Sequence, residues 1–102
     1  MRITTAHIDN LTDWVNFEKG YPREAYTRTG DKFTANVGHI RAYRSSGRWM
    51  VVQQCAGGGE RDLRVGTARE VYEFLLGMQE AIQLDHFAER YGITNQSIKA
   101  EV

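Results

Sequence analysis

Apolar positions along the chain follow two different periods, and the switch between them lays out the fold. Leu11, Trp14 and Val15 stand at helical spacing behind the capping candidates Asp9 and Asn10, and Gly20 with Pro22 closes the stretch. A short N-terminal helix is therefore expected over roughly Asp9 to Lys19. From Arg23 the period falls to two. Gly30-Asp31, Ser46-Gly47 and Gly57-Gly58-Gly59 cut this region into short strands, which is the pattern of an antiparallel meander. Phe33, Ala35 and Val37 alternate, whereas Ile40 and Ala42 continue on the opposite parity, so a bulge or bend is expected at Gly38. Trp49 to Cys55 is the most β-like run, and Leu63 with Val65 makes a last strand.

The period then returns to that of a helix. Thr67 followed by Glu70 is a capping box, in which each side chain satisfies a backbone N–H at the helix start. Val71, Phe74, Leu75, Met78 and Ile82 form a core stripe, and Leu84, Phe87, Ala88 and Tyr91 carry the apolar character onward after a small phase shift. One amphipathic helix lying on a sheet buries that stripe most economically. The expected fold is α+β: a short N-terminal helix, an antiparallel meander of three to four strands, a long C-terminal helix packed on one sheet face, and a short terminal helix. Residues 1–102 make one domain, large enough to bury about two thirds of its unfolded surface.

The end of the chain resembles a helix-turn-helix motif over about 17 residues. Ala88 matches the small residue of the first helix, Gly92 the turn glycine and Ile93 its apolar neighbour, while Phe87, Tyr91 and Ile98 match inward positions. Gly92 can end one helix at positive φ, and Thr94 can cap the next. The resemblance implies a recognition helix that presents Asn95, Gln96, Ser97 and Lys99 to nucleic acid. Glu101 departs from the motif where an apolar anchor is wanted, and Glu80, Asp85 and Glu89 give the segment an acidic setting. The order strand-strand-strand-helix, with GRW at Gly47 to Trp49 and VGT at Val65 to Thr67, also resembles the DNA-reading domains of plant transcription factors and phage integrase arms. The added first helix is similar to the order of double-stranded RNA-binding domains. Both are likenesses of topology over about half the chain, without the clustered lysines of those domains.

Charge changes this picture more than composition does. The chain is 41% hydrophobic and 25% charged, ordinary for a folded domain, and its 13 basic and 13 acidic residues cancel. The cancellation is uneven. Six arginines from Arg41 to Arg69 face only Glu60 and Asp62, whereas six acidic residues from Glu70 onward face only Arg90 and Lys99. If Ile40, Ala42, Leu63 and Val65 face the core, then Arg41, Tyr43 and Arg64 share the outer sheet face. Arg41, Tyr43, Arg44, Arg48, Arg61 and Arg64 are thus the expected partner-binding residues, combining forked donors with a rigid aromatic ring.

Candidate chemistry is sparse. His7, His39, His86 and Cys55 lack the close pairing of a zinc site. Cys55 with His39 as its base is the one conceivable nucleophile, and a small buried thiol beside an unrelated histidine is the preferred reading. The glycines at 57–59 are followed by Glu60-Arg61-Asp62 and a strand, which is not the context of a phosphate loop. No catalytic residue, metal or cofactor is expected. A lone cysteine and the absence of an apolar leader or long apolar run suggest a cytoplasmic protein off the membrane. The expected function is a non-enzymatic protein acting stoichiometrically on a macromolecule, as small phage- or plasmid-borne inhibitors of host defence (anti-CRISPR-like) do. A protein partner is expected first and nucleic acid second, and a homodimer is conceivable.

Overall fold

The computed structural model describes residues 2–93. Within them the chain is α+β: α1 (Thr5–Lys19), β1 (Tyr26–Thr29), β2 (Lys32–Ala35), β3 (Ile40–Ser45), β4 (Arg48–Gln54), β5 (Glu60–Gly66) and α2 (Ala68–Arg90), with a single 3₁₀ turn at Ala56–Gly58. The expected meander is two sheets. β1 and β2 form a separate hairpin, and β3-β4-β5 form the three-stranded antiparallel sheet on which the helices lie. The expected short terminal helix from Thr94 lies outside the described residues.

α1 begins four residues earlier than its sequence suggests. Thr4 is the N-cap, and the reciprocal partner three residues on is His7. The Thr4 N–H donates to His7 Nδ1 at 3.1 Å, and the His7 N–H donates to Thr4 Oγ1 at 3.3 Å. An imidazole thus performs the task usually given to Glu or Gln. The helix ends at Gly20, whose φ of 71° lets the Tyr21 N–H reach back to the Asn16 carbonyl at 2.9 Å. α2 starts on the expected box, with Glu70 N–H to Thr67 Oγ1 at 3.2 Å and Thr67 N–H to Glu70 Oε1 at 3.1 Å.

The core lies between the helices and one face of the three-stranded sheet. Ile8 and Val15 of α1, Val71, Leu75 and Ile82 of α2, and Ile40 and Val51 of the sheet are buried together. Ala42, Trp49, Leu63, Phe74 and Met78 pack around them. The two helices run parallel: His7 faces Tyr72 near their starts, with ring centroids 6.1 Å apart, and Glu18 approaches His86 at 3.6 Å near their ends. Both N-termini therefore emerge at the same end of the molecule, beside the β3–β4 turn.

One irregularity decides where the β5 side chains go. Val51 is opposite Arg64 while Val52 is opposite Asp62, so Leu63 is an extra residue on β5. This bulge reverses the parity of the strand across Leu63. Leu63 turns into the core, but Val65 falls opposite Met50, whose own partner Tyr43 is on the outer face. Gly38 has a φ of 101° in the link between β2 and β3, so it is the expected bend there, while the bulge is at Leu63.

Candidate functional site

Directly opposed residues in an antiparallel sheet share a face, and the observed register divides the six expected binding residues in half. Arg41, Tyr43 and Arg48 are on the outer face, in line with Val52, Met50 and Ser45. Arg44, Arg61 and Arg64 are in line with Trp49, Gln53 and Val51, on the side where the helices lie. The expectation that Arg64 joins Arg41 and Tyr43 is corrected by the bulge at Leu63.

The arginines also differ in what they already hold. Arg41 crosses the outer face to Glu60, donating from Nη2 to Oε1 at 2.6 Å and from Nε to Oε2 at 3.3 Å, and its guanidinium lies 5.0 Å from the Tyr43 ring centroid. β3 and β5 flank β4, so this fork passes over the central strand. On the same face, Val52 of the central strand is only 1% exposed. The Glu60 hydrogen bond raises the Arg41 pKa further above its ordinary value, against a smaller opposing effect of burial. Arg61 donates from both Nε and Nη2 to Gln53 Oε1, at 2.9 and 2.7 Å. Arg64 donates to Glu70 Oε2 at 3.1 Å, tying β5 to the first turn of α2. These three side chains brace the domain.

Arg44 and Arg48 flank the β3–β4 turn and form no ion pair among the described residues. Arg44 lines an open cleft of about 500 Å³ together with Arg2, Ile3, Thr4, Thr5, Gly47, Trp49, Thr67 and Ala68. A second hollow, lined by Gly47, Arg48, Val65, Gly66, Thr67 and Glu70, adjoins it. The cleft thus lies between the starts of two parallel helices, with guanidinium groups supplied by the N-terminal segment and by β3. Each helix start carries partial positive charge from its unpaired N–H groups. Arg2 and Arg44 add two full charges, so an anion entering the cleft meets positive potential. Glu70, which lines the second hollow and accepts the Thr67 N–H at Oε1, offsets part of this at the start of α2.

Arg2 is absent from the expected set. Thr4 and Thr67 could each be read as helix caps, but that the two caps meet at one cleft depends on the helices packing in parallel, which no local pattern encodes. Asn95, Gln96, Ser97 and Lys99 lie outside the described residues. Gly92 does adopt a φ of 69°, with the Ile93 N–H bonded to the Ala88 carbonyl at 2.8 Å, so α2 ends as its glycine suggests.

The remaining chemistry-bearing side chains are occupied elsewhere. His39 Nδ1 is 2.7 Å from the Pro22 carbonyl, which requires that nitrogen to carry the proton. The Cys55 thiol donates to the Gln53 carbonyl at 3.7 Å. Among the described residues no group of three or more His, Cys, Asp or Glu could hold a metal ion, and no helix is long and apolar enough to cross a membrane. Comparison with protein-family models, curated proteins and solved structures finds no match for this chain.

Proposed function

We propose that this chain is a non-enzymatic binding protein that acts stoichiometrically, docking an acidic patch of a protein partner on the cleft between Arg2 and Arg44. The observation that carries this reading is the division among the arginines. Arg41, Arg61 and Arg64 are committed to neighbours within the domain, whereas Arg2, Arg44 and Arg48, at the end where both helices begin, form no ion pair among the described residues. A carboxylate seated there gains forked hydrogen bonds and the field of two helix starts. A regulatory or inhibitory role follows as occlusion: a protein of this size that covers an acidic surface blocks whatever else uses that surface.

Nucleic acid is the second reading, favoured by the same free guanidinium groups, which suit a phosphate as well as a carboxylate. The zero net charge and the acidic α2 weigh toward protein.

Affinity capture from a lysate with the wild-type chain, Arg44→Glu and Arg61→Glu tests the proposal. A polypeptide retained by wild type and Arg61→Glu but lost with Arg44→Glu is the expected result. Retention by Arg44→Glu, or capture of nothing, contradicts it. Binding to duplex or single-stranded DNA with a steep loss on adding salt moves the assignment to nucleic acid.

A further inference from the structure

After Ile82, α2 leaves the core. Ile82 is the last buried residue among those described, yet Leu84, Phe87 and Tyr91 follow with 69%, 55% and 64% of their surfaces exposed. They fall at helix positions i, i+3 and i+7 and so form one stripe. Phe87 and Tyr91 pack on each other with ring centroids 4.6 Å apart. Two shallow grooves border the stripe, one lined by Glu80, Gln83, Leu84 and Phe87, the next by Gln83, His86, Phe87, Arg90 and Tyr91. The surface is therefore apolar at its centre, acidic at its N-terminal end and basic at its C-terminal end. Glu80 and Arg90 are ten residues apart, or about 15 Å along the helix axis.

We infer that this surface pairs with the same surface of a second copy, the two α2 helices crossing antiparallel. Charge complementarity points to that occupant. Reversing one helix about a point between Asp85 and His86 places Leu84 against the copy's Phe87, and Phe87 against its Leu84. The same operation brings Glu80 to the copy's Tyr91, one position from Arg90, and repeats that contact by symmetry. The shared apolar centre is then flanked by two Glu80–Arg90 pairs between copies, one at each end. A two-fold contact of this kind is self-complementary and closes on itself, so it yields a dimer and no larger assembly. A parallel arrangement would set Glu80 beside Glu80 and Arg90 beside Arg90, which like charges oppose. Ala81 and Ala88 border the stripe on its other side, and such small side chains let two helices approach closely.

This interface is at the opposite end of α2 from the Arg2–Arg44 cleft, so a dimer would present two cationic clefts to a partner, one on each copy. It does not depend on the proposed binding function, and either can fail alone.

Sedimentation of the full 102-residue chain over a dilution series tests it. The expected result is reversible growth from 11.7 kDa to twice that mass. Phe87→Asp should weaken association by roughly tenfold or more while leaving the circular dichroism spectrum unchanged, because the ring is outside the core. Glu80→Arg should also weaken it, and the double variant Glu80→Arg/Arg90→Glu should restore it. A wild-type chain that stays monomeric throughout overturns the inference. So does a dimer indifferent to Phe87→Asp, or a charge swap that fails to restore association. A chain that dimerises only after removal of residues 94–102 also overturns it, since the stripe would then be covered by the chain's own end.

Discussion

The Asn16 carboxamide closes on the backbone of Ile40 from both sides: Nδ2 donates to the Ile40 carbonyl at 2.7 Å, and Oδ1 accepts the Ile40 N–H at 2.9 Å. Asn16 is 1% exposed and Ile40 is buried in the core. β3 is an edge strand, so at this point a helix side chain supplies what a neighbouring strand would have supplied. The contact fixes the C-terminal half of α1 against the start of β3, and with it the parallel placement of the two helices.

Removing that pair should be costly. Asn16→Ala leaves a buried N–H and a buried carbonyl without partners, and Asn16→Asp removes the donor and sets a carboxylate against a carbonyl. Denaturant unfolding should show a loss of about 2–4 kcal/mol for the alanine variant and more for the aspartate. A loss under about 1 kcal/mol would show that the groups are satisfied in another way.

The core boundary on α2 gives a paired prediction. Leu75 is fully buried and Leu84 is not. Leu75→Ala should cost about 2–5 kcal/mol. Leu84→Ala, measured at a dilution where the chain is monomeric, should change stability by no more than about 0.5 kcal/mol. Equal effects would place the end of the core beyond Ile82.

The α2 cap carries an acid dependence. Glu70 is held below the usual carboxylate range first by the Thr67 N–H, then by the Thr67 hydroxyl and Arg64. A lowered folded-state pKa contributes stability that is present above the ordinary glutamate range and is lost as pH falls through the folded value. Thermal unfolding followed from neutral pH into that acid range should therefore fall less steeply for Glu70→Gln than for the parent. Identical slopes would remove Glu70 from the acid response. Thr67→Ala should cost about 1 kcal/mol at neutral pH, as loss of an N-cap typically does.

The bracing role of Arg41 is separable from the free status of Arg44 and Arg48. Arg41→Ala leaves Glu60 without its ion-pair partner. The ion pair is partly open to solvent, so screening keeps the loss to about 1 kcal/mol or less. Arg44→Ala and Arg48→Ala should lie within about 0.5 kcal/mol of the parent in chemical denaturation. An Arg44 variant as unstable as the Arg41 variant would show that Arg44 is also a brace.

Several elements were legible in the sequence because their signals are local. The Thr67–Glu70 box, the turn at Ser46-Gly47, the helix end at Gly20 and the inward parity of Ile40 and Ala42 each depend on a few consecutive residues. The start of α1 was hidden because His7 replaces the usual carboxylate or carboxamide of a capping box. Its inner face was hidden as well, since Thr12 and Asn16 are buried beside Ile8 and Val15, and polar residues at those positions read as a solvent face. Thr12 is satisfied by the Ile8 carbonyl at 2.8 Å and Asn16 by Ile40, neither of which the hydrophobic pattern can foresee. The binding face was misread for a different reason. Alternation carries parity along β5 only while the strand is regular, and the extra residue at Leu63 is set by pairing with β4. Of the cleft, Arg44 was visible as a candidate, whereas Arg2 needed the tertiary arrangement.

The claim that the free arginines at the start of the helices form the binding surface can be tested without knowing the partner. Titration of the labelled chain with a poly-glutamate peptide, followed by nuclear magnetic resonance of backbone amides and arginine Nε–H groups, reads each site separately. The account predicts shifts at Arg2, Arg44, Arg48, Thr4 and Thr67, with the Nε–H signals of Arg41 and Arg61 unmoved. Shifts centred on Arg41 and Tyr43, or none at the Arg2–Arg44 cleft, would contradict it.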